Sequence, residues 1–522
     1  MSENKDSTKW FALIVVIVGT FMAALDSSIV NVALPRMMTV FGTNYTTAKW
    51  IITGYSLTTG AVIPITGYLT NVFGSKRVYI FALTVFTFGS MLCGFSGSIS
   101  QMILFRVIQA IGGGMIMPVG MAMILELFAP EERGSAMGVW GMASMAAPML
   151  GPTLGGAIVE YIDWHMIFYL NIPVGVVGVT LAFILLKGSG KIKLKPIDFM
   201  GFVTATVGMV CLLYMFGEWS SIDWTNMIYP ILLILGIGSM ALFILNELFH
   251  PDPLLDLRMM KIVSFTQSQI VSIILIMALM GGTFVLPLFF QNVQGMTPMQ
   301  SGLMMMPSAI TAAITMAFSG KIYAKLGLKK VAIPGLIAML ILSCLMALAL
   351  NLNTPKSYLI TLTVLRSIAM GLTMMPVATY GLKEISGKDG GRASALASTI
   401  RQIFGAFAVT LMAVLINHYN TDNYSHMAMQ VTPFNTYIYG FFEKIQGLYA
   451  SMGMTLEQAR GAATQLFGGL VSQTAYVTAM SQAMGIMGLL TLLAILFVFF
   501  MGEKKPKDVY VSLPEDSDSD IG

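Results

Sequence analysis

Charge is what this chain has least of. Of its 522 residues only 10% are Asp, Glu, Lys or Arg, against roughly 25% in an ordinary soluble domain, while 56% are hydrophobic. A single water-facing core is thereby excluded, and most of the surface must face lipid. Cysteine is nearly absent: Cys93, Cys211 and Cys344 all fall in apolar runs, with no CxxC pair. They read as free packing thiols and say nothing of redox state. The four histidines, His165, His250, His418 and His426, lie at the edges of apolar runs or in loops, and no His/Cys spacing resembles a metal motif. No GxxxxGK[ST] loop occurs, which argues against ATP hydrolysis by this chain. Gly112 to Gly114 sit inside an apolar run and read as helix packing. Neither a paired nucleophile and base nor a metal cluster is evident, so an enzyme is not expected, and no cofactor is.

What the chain has in quantity is long apolar runs. Each reaches the ~20 residues a helix needs to cross ~30 Å of hydrocarbon, far beyond the ~10 of a membrane β-strand. Fourteen spans are expected near 12–34, 49–71, 78–97, 100–127, 135–159, 166–187, 198–217, 227–249, 264–292, 300–324, 331–351, 358–381, 393–417 and 475–501. Of the 29 Lys and Arg, 21 fall in the termini and alternate loops, 5 in the opposite loops and 3 inside spans. That asymmetry predicts both termini in the cytoplasm. The basic excess, including Lys187, Lys191, Lys193 and Lys195, then lies beside the inner leaflet and needs no nucleic acid to explain it. The first apolar run lacks a cleavage-site pattern, so it is expected to remain as a span.

The segment from Gly67 to Val78 recurs from Gly320 to Val331, with Gly67/Gly320, Gly74/Gly327, Lys76/Lys329 and Arg77/Lys330 each 253 residues apart. Arg106 with Pro118 is echoed by Arg366 with Pro376, and Arg133 to Gly138 by Arg392 to Ala397. Two related six-helix halves are therefore expected, a plan in which the site lies between repeats. The boundaries read as a terminus over 1–11, a first bundle over 12–187, a linker with two inserted helices over 188–263, a second bundle over 264–501 and a disordered acidic tail over 502–522. Within the second bundle, 418–474 is expected as one large, partly helical extracellular loop. Thr455 and Gln458 have capping-box spacing, which predicts a short helix starting there.

Asp26 carries the most informative chemistry. A carboxylate inside a span costs roughly 2.5–3.5 kcal/mol on insertion scales, so its presence asks for a function or a permanent partner. A carboxyl taken out of water takes up a proton more readily, which would let it alternate between charged and neutral as a cavity opens to either side. The bland alternative is a structural acid in a fixed pair. Arg106 lies roughly 9 Å and Asp26 roughly 12 Å from the outer ends of their spans at 1.5 Å per residue, so the two can meet. Otherwise Arg106 bonds only backbone carbonyls. Arg106, Gln109 and Gly113 share one helix face.

Farther on, Pro148 and Pro152 stand one turn apart with Gly151 and Gly155 in GxxxG spacing, a combination that bends a helix and lets another approach closely. The second half has neither proline at the equivalent place. Methionine is abundant, at 44 residues. Most are expected in the core or against lipid, and those lining a cavity would adapt to ligands of varied shape.

These pieces together resemble a known family. Leu25 to Pro35, the Gly67 to Arg77 loop, Leu104 to Gly114, Leu150 to Gly156 and Trp164 to Gly175 are similar in order and spacing to the fourteen-helix drug:proton antiporters of the EmrB/QacA type in the major facilitator superfamily. The resemblance spans about residues 10–501. The segments from Pro433 to Asn435 and from Gly453 to Gly461 look closer to EmrB. It implies an all-α membrane protein with the major facilitator fold, two pseudo-repeated six-helix bundles plus two inserted helices, in a bacterial cytoplasmic (inner) membrane. Proton-driven export of amphipathic drugs or hydrophobic anions by alternating access is the implied activity, with the proton gradient as energy source. Asp26 is then the proton-linked site and Arg106 the coupling residue. Gly67, Gly74, Lys76, Arg77, Gly151, Pro152, Gly155 and Gly156 carry the conformational motifs. Asn31, Gln109, Met115, Gln291, Met305 and Arg401 are the candidate lining of the substrate cavity.

Two departures from the family matter. Asn71 stands where an acid is usual, so the charge pairing of that acid is absent or comes from another residue. Asp26 is the one clear mid-membrane carboxylate, which argues against a preference for dications. The EmrB-like loop adds contact with a periplasmic adaptor protein to the expectations. Export of one physiological metabolite or lipid stays open as an alternative, and a non-transporting receptor or scaffold as a remote one.

Overall fold

Helix caps and glycine turns divide the chain into its elements. The structure, a computed structural model, describes residues 3–186, 198–219, 222–251, 253–386, 389–429 and 436–502. The basic linker 188–196 with Lys187, the run from Pro433 to Asn435 and the tail after Gly502 lie outside the described residues. The first half comprises α1 (Glu3–Phe41), the one-turn α2 (Tyr45–Ala48), α3 (Trp50–Phe73), α4 (Ser75–Gly94), α5 (Ile99–Leu127), α6 (Pro130–Tyr161), the one-turn α7 (Met166–Tyr169) and α8 (Asn171–Leu185). Next come α9 (Phe199–Glu218) and α10 (Ile228–Phe249). The second half holds α11 (Val263–Leu288), α12 (Pro298–Leu326), α13 (Leu328–Ala349), α14 (Lys356–Gly381), α15 (Gly390–Met429), α16 (Thr436–Ser451), α17 (Leu456–Leu489) and α18 (Thr491–Phe500).

Twelve helical runs are long and apolar enough to cross a bilayer, and α6, counted across its bend, is a thirteenth. The remaining expected span is α3, 24 residues long, whose threonines, glycines and tyrosines leave it less apolar than the rest. Local chemistry starts these helices. Ser98 accepts the amide of Gln101 at the head of α5, and Thr297 with Gln300 closes a capping box on α12. The repeat seen in the sequence is geometric too: Gly74 at φ +82° and Gly327 at φ +81° each end one helix and begin the next, in backbone that a side chain would strain.

One expectation needs correcting. Thr455 and Gln458 do form the capping box, but the helix they start is 34 residues long and leads through a break at Leu490 into α18. No proline interrupts it, and its glycines at 461, 468 and 469 face open space, so nothing stops its propagation. The preceding α15 likewise runs 40 residues. Among the described residues, the expected partly helical loop is helix apart from the turn before Thr455.

Helices α1, α3 to α6 and α8 pack as one bundle, and α11 to α15 with α17 and α18 as the other. The bundles meet along α6 against α12 and along α3 against α15. Helices α9 and α10 pair with each other, and α9 lies against α3 and α15. Only 17% of α10's apolar stretch is buried, so most of its surface is left for lipid.

Lipid tails give packed helices no hydrophobic advantage over separated ones, so small residues that allow close contact matter instead. A Cβ on Gly151 would stand 1.9 Å from Ser28 Oγ on α1, and one on Gly156 2.9 Å from Met299 Cβ on α12. The α6 helix is thus wedged between its own bundle and the other, and it bends by 41° between Pro148 and Leu150, where proline removes backbone donors.

Both ends of the described chain share one face. Lys9 on α1 bonds Glu132 at the start of α6, Arg133 beside it bonds Leu382 just past α14, and Tyr380 near the end of α14 bonds Gly502. These contacts define a terminal face.

Candidate functional site

Helices α4, α5 and α8 bring hydrogen-bonding side chains around Asp26 of α1. Its carboxylate is 1% exposed, and each partner is held by a helix that buries it. Arg106 Nη1 on α5 donates to Oδ2 at 2.6 Å. Gln109 Nε2, one turn along α5, donates to Oδ1 at 2.9 Å, and Asn171 Nδ2, the first residue of α8, donates to the same oxygen at 2.9 Å. Ser90 on α4 accepts from Gln109 at 2.7 Å and from Asn171 at 3.3 Å, fixing both amides. A carboxylate offers about four acceptor positions, and three are filled by these donors.

Arg106 is equally enclosed. Its guanidinium carbon lies 4.1 Å from the centre of the Tyr55 ring, Nη1 also donates to Gln109 Oε1 at 2.6 Å, and Nε has no partner among the described residues. The pair is neutral as a unit. A proton on Asp26 removes the counter-charge and strands a buried guanidinium, a change that costs about 3–5 kcal/mol when one partner of such a pair is lost.

The expected pairing of Asp26 with Arg106 is present, but two expected cavity residues are not in a cavity. Gln109 is fully buried in the carboxylate network, because it follows Arg106 by three residues and shares its face. Met115 is 4% exposed in the core with Val16, Tyr79 and Phe86, since its side of α5 turns toward α1 and α4. Asn31 is exposed and donates to Ser27 O at 3.5 Å. Gln291 is partly exposed in the π-helical turn Phe289–Val293. Met305 lines a small cavity with Met145 of α6 and with Thr283 and Arg366. Arg401 reaches between the bundles, donating to Ser398 Oγ at 3.3 Å and to Met121 Sδ at 3.5 Å.

Composition and spacing alone did not single out Asn171, Ser90 or Tyr55. The available signal was a lone asparagine inside the apolar Trp164 to Gly175 run, a place where an amide needs a partner. Among the described residues no group of His, Cys, Asp and Glu could hold a metal ion.

Residues 16–409 match the model of the Major Facilitator Superfamily. The chain belongs to the major facilitator superfamily. Over 449 residues this transporter is 34% identical to the uncharacterized MFS-type transporter YhcA of Bacillus subtilis, covering 86% of this chain and 84% of that one. It is 27% identical over 444 residues to the multidrug export protein EmrB of Escherichia coli, covering 85% and 86%. Its fold matches that of the proton:xylose symporter XylE at a TM-score of 0.60 and 14% identity, over 95% of this chain and 96% of that one.

On its terminal face the transporter is sealed between the bundles. Arg133, 5% exposed, caps two helix C-termini at once: it donates to Leu125 O and Phe128 O at the end of α5, and to Leu382 O and Ile385 O beyond α14. A cation is favoured at both ends by the helix dipole. Beside it, Gly134 and Gly320 touch backbone to backbone, and a Cβ on Gly320 would stand 1.8 Å from Gly134 O. Gly67 likewise meets Ala395 of α15, at 3.0 Å from a built Cβ. With Asn71 in the usual acid's place, acids at this face come from elsewhere: Ser75 donates to Glu126 at 2.5 Å, and Asp256 stands 3.5 Å from Arg392. Lys76 donates to Phe183 O at 2.8 Å and Arg77 to Phe73 O at 3.4 Å, so both fasten the turn at Gly74 to its own bundle.

Proposed function

We propose that this transporter is a proton-coupled multidrug efflux antiporter of a bacterial cytoplasmic membrane, exporting amphipathic small molecules by alternating access. The buried pair of Asp26 with Arg106 carries the reading, because it is a titratable charge whose neutralisation disturbs helices α1, α4, α5 and α8 together. The terminal face, which carries most of the Lys and Arg, is the cytoplasmic one, so the arrangement described is closed to the cytoplasm.

A proton arriving from outside neutralises Asp26 and releases Arg106. The freed pair shifts the balance of the two bundles toward opening on the cytoplasmic side. A shift of about 3–5 kcal/mol compares with the ~5.5 kcal/mol that takes a two-state equilibrium from 1:99 to 99:1. One protonation is therefore of the right size to drive the switch. Cargo enters from the cytoplasm, the proton leaves inward as the pair re-forms, and the bundles close beneath the cargo. Multidrug export by EmrB supports the breadth of cargo, and the α16–α17 hairpin on the face opposite the termini offers a surface to an adaptor protein.

Purified protein in detergent at weakly buffered pH tests the coupling. Adding a transported drug should release protons from the wild type and none from Asp26→Asn. Equal release from both would remove Asp26 from the mechanism.

A further inference from the structure

Inside the apolar bodies of the spans, well away from helix ends, the residues with full charges are Asp26, Arg106, Arg366 and Arg401. One carboxylate faces three guanidiniums. Asp26 neutralises Arg106. Arg366, its counterpart in the second half, has no carboxylate and turns to Ser343 Oγ at 3.0 Å and to the carbonyl of Ala278. Arg401 is provided for least: it donates to a hydroxyl and a thioether, the latter a weak acceptor, against the five N–H donors of a guanidinium.

Its position makes this excess usable. Arg401 lies eleven residues into α15, or roughly 16 Å along the axis at 1.5 Å per residue, near the middle of ~30 Å of hydrocarbon. Toward the terminal face Ala393, Leu396 and Ala397 are each under 5% exposed and close the space below it. In the other direction a Cβ built on Gly405, one turn along the same face, meets nothing within 4 Å. Arg401 itself is only partly buried, and Met121 of the opposite bundle is at its side. A cation thus stands on the floor of an open space between bundles.

We propose that Arg401 is the docking point for an anionic group on the cargo, and that this exporter selects amphipathic organic acids over cations of the same shape. The inference rests on the efflux reading and narrows its substrate class. A carboxylate or sulfonate accepts two parallel N–H bonds from a guanidinium, while the apolar body lies in the open space beside Gly405. A cation in that place faces Arg401 with like charge.

Dansylglycine, dansylamide and dansylcadaverine present one fluorophore with an acidic, a neutral and a basic tail. Equilibrium binding of each to the full-length protein in detergent should rank dansylglycine first, about 10-fold or more ahead of dansylcadaverine. In Arg401→Gln the affinity ratio of dansylglycine to dansylamide should fall by about 10- to 100-fold, in line with loss of a charged hydrogen-bonded pair. Arg401→Lys keeps the charge without the fork and should retain part of the preference. No binding of dansylglycine, no preference in the wild type, or equal weakening of all three probes by Arg401→Gln overturns the proposal; the last would make Arg401 a latch to Met121. The two readings fail separately. An unchanged ranking in Arg401→Gln, with drug-induced proton release lost in Asp26→Asn, removes only the anion site. Lost ranking with intact release in Asp26→Asn removes only the coupling.

Discussion

At the scale of single residues, Asp26 is expensive to keep in a membrane and is kept by three donors at 2.6 to 2.9 Å. Converting either partner to the other's charge, Asp26→Arg or Arg106→Asp, sets two like charges in one buried space. Each single change should lower stability in detergent by about 3–5 kcal/mol, and the double exchange should recover part of that in thermal unfolding. No recovery would contradict a direct pair. Asn171→Ala removes one donor from Asp26 and one from Ser90, and should cost about 1–3 kcal/mol; a neutral result in the same assay would make its bond to Asp26 incidental. Sequence foretold the pair because depth along a helix fixes which charges can meet. It could not foretell Gln109 as a partner or Met115 as core, because a helical period gives a face without saying what covers it. Asn171 comes from a helix 145 residues away from Asp26, and no local pattern contains that contact.

Among the elements, α6 stands out as the contact between bundles. Its prolines and glycines announced a bent, closely packed helix, and both properties are present. What they did not announce is that Arg133, at the start of the same helix, closes the terminal face by capping α5 and α14 together. That role depends on where two other helices end in space. Arg133→Gln should loosen the seal: a cysteine placed at Ala397, in a background with Cys93, Cys211 and Cys344 replaced by serine, should react several-fold faster with a membrane-impermeant maleimide applied to the terminal face. An unchanged rate would show that the glycine contacts at Gly134 and Gly320 hold the face closed alone. The over-long α17 carries a related lesson. A capping box marks where a helix begins, whereas its length follows from the absence of a breaker and from neighbours that were unknown.

For the whole molecule, the fold was legible because the bilayer restricts the options: long apolar runs must be helices, and the duplicated Gly74 and Gly327 turns state the two-fold plan. Function was less legible, since the charges that matter are few and are defined by what surrounds them. The first half pairs its arginine with a carboxylate, the second keeps Arg366 and Arg401 without one, and between them lies the space through which cargo would pass. On the function proposed above, proton coupling and cargo selection fall to different halves, joined by rocking about α6 and α12. The most direct test of this account is uphill transport in proteoliposomes with an imposed pH gradient, comparing wild type with Asp26→Asn for one exported dye. The wild type should concentrate the dye against its gradient, and Asp26→Asn should only let it equilibrate. Continued uphill accumulation by Asp26→Asn would contradict the account.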